Sequence, residues 1–144
     1  MRWLFLLGFV GACGRIGFDP ETTESTTEPA VAMHACDETC AAAGGTCAGS
    51  TCVIDCTRTF CPAVVCPAGM PCEVSCGDAA CSNLDCSLAT RCTLSCIGTG
   101  SCSEVVCAGD SCTLSCTGTG SCSGSVTCDA EHCAVSCLGL GACS

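Results

Sequence analysis

Lysine and tyrosine are missing from the 144 residues altogether, tryptophan occurs once and phenylalanine four times. A core built on aromatic rings, each burying about 150–250 Å², is excluded by that shortage. Beyond a short leader only Phe18 and Phe60 remain, so apolar burial has to come from Val, Leu, Ile, Ala and Cys. Basic charge is as scarce: Arg2, Arg15, Arg58 and Arg91 stand against 14 acidic residues, for a formal net charge of −10. A nucleic acid or other polyanion would be repelled, which removes that class of partner. No apolar run reaches the roughly 20 residues that a membrane-spanning helix needs.

Catalytic patterns are missing too. There is no Gly-x-Ser-x-Gly elbow, His-Glu-x-x-His helix or phosphate loop, and no acid/base pair in a recognisable arrangement, so no enzyme and no cofactor are expected. Cys-Cys, Cys-x-Cys and Cys-x-x-Cys are all absent, although thiolate clusters and zinc sites draw on such close pairs. A metal store is therefore disfavoured. His34 falls in a polar stretch, and His132 follows Asp129-Ala130-Glu131 in a variable corner that reads as a solvated turn rather than a cation site. Asp55, Asp78, Asp85, Asp110, Asp129 and Glu131 do not recur at one position of the repeat described below, as calcium-binding solenoid repeats require.

What the chain has is cysteine, 23 of 144 residues. That is well above the roughly 8–10% that marks a disulfide scaffold, and it points to an oxidising compartment and to covalent staples in place of a large core. At the start, Met1-Arg2 leads into Trp3-Leu4-Phe5-Leu6-Leu7-Gly8-Phe9-Val10, then Gly11-Ala12 and Cys13. This is a charged start, an apolar run and a small-residue cleavage site. Val10-Gly11-Ala12-Cys13 resembles the lipobox of bacterial lipoproteins. The resemblance implies a signal peptide over 1–12, cleavage before Cys13, and two or three acyl chains on that cysteine. At about 0.8 kcal/mol per buried methylene these would hold the protein in a membrane. Gly14 in place of Asp implies, by the same resemblance, the outer membrane of a Gram-negative cell. Parity argues independently for Cys13: an odd cysteine in an exported chain needs its own explanation, and setting it aside leaves 22, enough for 11 disulfides.

Residues 13–35 read as lipid anchor and tether, because Asp19-Pro20-Glu21-Thr22-Thr23-Glu24-Ser25-Thr26-Thr27-Glu28-Pro29 is acidic, Thr-rich and without apolar periodicity. Cys36, Cys40 and Cys47 define a cysteine-rich cap over 36–51, with a turn at Gly44-Gly45. Only three cysteines lie in this cap and 19 follow, so if all pair, at least one bridge ties cap to repeats.

From residue 52 to 144 the chain repeats. Units open at Cys52, Cys72, Cys92, Cys112 and Cys133, hence periods of 20, 20, 20 and 21. Each opens with Cys-x-aliphatic-x-Cys, the alternation of a half-buried strand, with the cysteines and Ile54, Val74, Leu94, Leu114 and Val135 facing in. A second alternation sets Val64, Leu84, Val105 and Val126 two residues before Cys66, Cys86, Cys107 and Cys128. The units also hold Cys56, Cys61, Cys76, Cys81, Cys96, Cys102, Cys116, Cys122, Cys137 and Cys143, and glycines at fixed offsets in residues 96–102, 116–122 and 137–143 mark tight corners. All 22 are disulfide candidates with their connectivity open. The expected fold is all-β: a short, disulfide-stapled right-handed β-solenoid of ~20-residue coils, stacked at about 4.8 Å per rung. Serial disulfide knots with little regular structure are the alternative.

The repeat resembles cysteine-rich bacterial lipoproteins with Cys-x-Val-x-Cys-x-Gly tandem units of unassigned function. The expected role is a structural or shielding surface module, with a binding or adhesion module for a glycan or protein as the alternative. Outward hydroxyls at Thr93/Ser95 and Thr113/Ser115 match on only two rungs and read as ordinary strand surface.

Overall fold

The computed structural model describes residues 36–144. The expected lipobox with Cys13, His34 and the expected tether through residue 35 lie outside the described residues.

Alternating Cys-x-aliphatic-x-Cys segments form one face of a β-solenoid. The first sheet stacks β2 (Thr51–Cys56), β4 (Pro71–Cys76), β6 (Arg91–Cys96), β8 (Ser111–Cys116) and β10 (His132–Cys137), with β1 (Thr46–Ala48) at its N-terminal edge. The second stacks β3 (Cys61–Val65), β5 (Cys81–Cys86), β7 (Cys102–Cys107) and β9 (Val126–Cys128). The chain passes from one sheet to the other and back in each coil, which gives four coils and the opening strand of a fifth. Every pairing between coils is parallel, and only β1 runs antiparallel to its neighbour β2. Continuous sheets of this kind set aside the alternative of independent knots.

The register keeps like on like. Ile54, Val74, Leu94, Leu114 and Val135 form one inward column, and Val64, Leu84, Val105 and Val126 form another. Cysteines flank both columns. Because side chains alternate across a strand, the residues between them, such as Glu73, Thr93 and Thr113, face solvent. The core is thus a thin slab of aliphatic and sulfur atoms, buried from Cys36 to Cys122 as one cluster.

The two ends differ. At the N-terminal end residues 36–42 form a short helix that covers the first coil. Gly44, at φ 80°, ends it in a left-handed conformation. Gly45 N–H donates to Cys40 O (2.9 Å) and Gly44 N–H to Ala41 O (3.0 Å), the paired bonds of a Schellman motif. At the C-terminal end no element among the described residues covers β10, whose six residues are all exposed.

Candidate functional site

All 22 cysteines of the described residues are paired, in 11 bridges. The rule that places them follows from the coil. Each strand of the first sheet after β1 ends on a cysteine, and the bridge closes the corner onto the next cysteine: Cys56–Cys61, Cys76–Cys81, Cys96–Cys102, Cys116–Cys122 and Cys137–Cys143. The return corner is closed likewise by Cys66–Cys72, Cys86–Cys92, Cys107–Cys112 and Cys128–Cys133. In the cap, Cys36–Cys47 ties the helix to β1, and Cys40–Cys52 supplies the expected link from cap to repeats. Cα separations run from 5.3 to 6.3 Å, inside the range a disulfide spans without moving the backbone.

Stacking brings bridges of neighbouring coils together. The Sγ atoms of Cys66 and Cys86, which belong to different bridges, are 3.2 Å apart. Three groups have all their sulfurs within 4.8 Å of one another: Cys66, Cys86 and Cys92; Cys96, Cys116 and Cys122; Cys107, Cys112 and Cys128. Each is a complete disulfide plus one sulfur of the bridge in the adjacent coil. Disulfide sulfurs carry no thiolate charge, and the thiolate is the form that ligates a metal. Sequence spacing did not show these groups, because their members come from different coils; the 20-residue period was the signal that would have.

The remaining polar candidates scatter. Asp129, Glu131 and His132 do not come together as a ligand set among the described residues. Asp78 Oδ1 accepts Thr99 N–H at 2.7 Å and so links two successive corners. Asp55 accepts from Thr57 through both its hydroxyl (2.7 Å) and its N–H (2.9 Å). The Thr57 hydroxyl, then its N–H, then the Arg58 charge hold the Asp55 carboxyl below its ordinary pKa. The matched outward hydroxyls do align, Thr93 beside Thr113 and Ser95 beside Ser115, but the row continues into Glu73 and Ala134.

One feature was missed. Phe60 is 65% exposed, beside Arg58, on a depression of about 220 Å³ that Thr57, Thr59 and Asp78 also line. The residue just before the second cysteine of this corner bridge is Phe60, Ala80, Ser101 or Ser121 in successive coils, and the last three are buried. That position accepts only a small side chain, so the ring turns outward.

These features define a class: a β-solenoid whose every corner is closed by a disulfide. No protein-family model matches the chain, and neither a curated protein nor a solved structure is found similar to it.

Proposed function

We propose that this protein is an exported bacterial lipoprotein, anchored through acyl chains on Cys13, whose disulfide-stapled solenoid serves as a structural or shielding module at the outer membrane or cell surface. The observation that carries this reading is that the 22 cysteines of the described residues pair with one another, so that Cys13 is required by none of them. A lipobox cysteine needs none, since its sulfur takes the lipid. The disulfides support export, because cytosolic reductants would open them. Among the described residues no helix is long and apolar enough to cross a membrane, which an acyl anchor does not need. The depressions seen among the described residues are open ones at the corners and on one strand face, which fits a module that acts by its bulk and durability.

The test is fractionation with intact mass. The native protein should stay with the membrane, carry acyl mass at Cys13 and gain mass only after reduction and alkylation. A Cys13→Ala chain that still sediments with membranes would sink the anchor, and several alkylatable thiols in unreduced protein would sink the stapled module.

A second reading is favoured by the Arg58–Phe60 depression alone: a binding module for a glycan, whose ring would stack on Phe60 while Arg58 and Asp78 meet its hydroxyls. Loss of glycan-array signal in Phe60→Ala, with wild-type folding, would support it; an unchanged array would remove it.

A further inference from the structure

Two bridges at the open end of the solenoid stand where they can trade sulfurs. Cys107–Cys112 and Cys128–Cys133 close the same return corner in successive coils. The register sets Cys128 beside Cys107 and Cys133 beside Cys112. The Sγ atoms of Cys107, Cys112 and Cys128 all lie within 4.8 Å of one another. Accessibility separates the two bridges: Cys107 and Cys112 are each 1% exposed, whereas Cys128 is half-buried and Cys133 exposed. A thiol in solution therefore meets the outer bridge first.

We infer that these four cysteines form a disulfide-exchange site, triggered by a small thiol such as a cysteine-containing peptide. The external thiolate attacks Sγ of Cys133; a mixed disulfide forms, the Cys128–Cys133 bond breaks and Cys128 leaves as a thiolate. The Cys128 thiolate attacks Sγ of Cys107; a Cys107–Cys128 bond forms, the Cys107–Cys112 bond breaks and Cys112 leaves as a thiolate. The Cys112 thiolate then attacks Sγ of Cys133 in the mixed disulfide, closing Cys112–Cys133 and returning the external thiolate. Two bonds break and two form within the protein, with no net oxidation and the thiol regenerated. Two corner bridges have become two coil-to-coil staples between register partners. The exchange joins the exposed β10 covalently to β8 beside it, at the sheet edge that no cap covers among the described residues.

The other stacked triads do not take part, because access governs thiol attack. Cys66, Cys86, Cys92, Cys96, Cys116 and Cys122 are all buried. The Cys137–Cys143 bridge, exposed at Cys137 and half-buried at Cys143, belongs to no such triad. The site stands whether or not Cys13 is acylated.

The experiment uses the full chain in a glutathione buffer under native conditions, quenched in acid and digested with pepsin without reduction. The original bridges leave the segments around 107–112 and 128–133 as separate peptides, each closed on itself. Exchange joins them into a single mass. We expect the joined species in about a tenth or more of the chains, since one disulfide is exchanged for another of the same kind. Segments that stay separate overturn the proposal, as does an equal degree of joining at the buried corners. A Cys133→Ser chain adds a test without a trigger: its Cys128 thiol should move into the inner bridge, so that alkylation under native conditions labels Cys112 as well as Cys128. Label confined to Cys128, with Cys107–Cys112 intact, gives the opposite answer.

Discussion

Ile54 in the first coil and Val135 in the last stand in the same Cys-x-aliphatic-x-Cys segment, yet they are 2% and 46% exposed. Nothing in their own strands accounts for this. Ile54 has a helix and β1 above it, and the backbone around Gly45 packs so closely that a Cβ there would press on both Cys40 Sγ and the Ile54 side chain. Val135 has β8 on one side and, among the described residues, no element on the other. Leu138 and Leu140, in the corner that follows, are 78% and 83% exposed. In a quasi-one-dimensional stack each coil is stabilised by its neighbours, so an uncovered end should be the weakest part of the molecule.

The largest effect expected is from making the first end resemble the last. Cys40→Ala with Cys52→Ala removes the bridge from cap to repeats. It should cost about 2–4 kcal/mol through the lost crosslink, and more where the cap lifts and Ile54 becomes wet. The matched change at the open end, Cys137→Ala with Cys143→Ala, should cost about 2 kcal/mol or less, because nothing further is uncovered. Denaturant unfolding without reductant measures both. Loop length alone makes the two differ by about 0.6 kcal/mol, so a difference no larger than that would break the comparison.

Next come the inward aliphatics themselves. Leu94→Ala empties a site enclosed by coils on both sides and should cost about 2–5 kcal/mol, while Val135→Ala, half in water already, should cost under about 1 kcal/mol. Equal losses in thermal or chemical unfolding would mean that the last coil is as well covered as the middle ones.

How much of this was legible in the chain follows from the same residues. Leu94 between Cys92 and Cys96 reads as an inward position from period-2 alternation alone, and the 20-residue period predicts the stacking that buries it. Val135 reads identically, because burial there depends on the neighbour in space rather than on the strand. Disulfide partners were hidden by the register: Cys56 has Cys61 across its corner and Cys76 above it, and spacing does not choose between them. The helix over 36–42 had a signal that went unused. Cys36 and Cys40 are four apart and both buried, the spacing of one helical face, and Ala41-Ala42-Ala43 follows. Phe60 is legible as a large residue at a position that elsewhere holds Ala or Ser, but only once the coils are aligned on their cysteines.

A finer test asks whether neighbours decide the energy even where the local sequence is the same. Ser101 and Ser121 both close a Gly-Thr-Gly-Ser corner and both are fully buried. The Ser121 hydroxyl donates to Gly118 O at 2.8 Å, whereas Ser101 Oγ has no partner among the described residues. Ser121→Ala should cost about 1 kcal/mol, and Ser101→Ala should be neutral or stabilising, because it removes a buried hydroxyl that makes no bond. Opposite signs in paired unfolding curves would carry the point, and equal losses would show that Ser101 is satisfied in solution.

The smallest effect lies at the first corner. In register with Asp55 stand Ser75, Ser95, Ser115 and Ser136, so only the coil next to the cap carries a carboxylate there. Its pKa is lowered from 3.8, first by the Thr57 hydroxyl and then by the Thr57 N–H, both of which favour the ionised form. A depressed folded pKa contributes stability that is present above the unfolded value and is lost as pH falls through the folded one. The acid end of the stability profile should therefore lose a small step below the ordinary carboxylate range, and Asp55→Asn should lose that step. The direct measurement is the NMR titration of the Asp55 carboxyl. Its midpoint should fall below 3.8 in the native chain and rise part of the way back in Thr57→Val, which removes the hydroxyl bond and keeps the N–H. A midpoint that Thr57→Val leaves unmoved would place the cause elsewhere, with Arg58 the next group to replace.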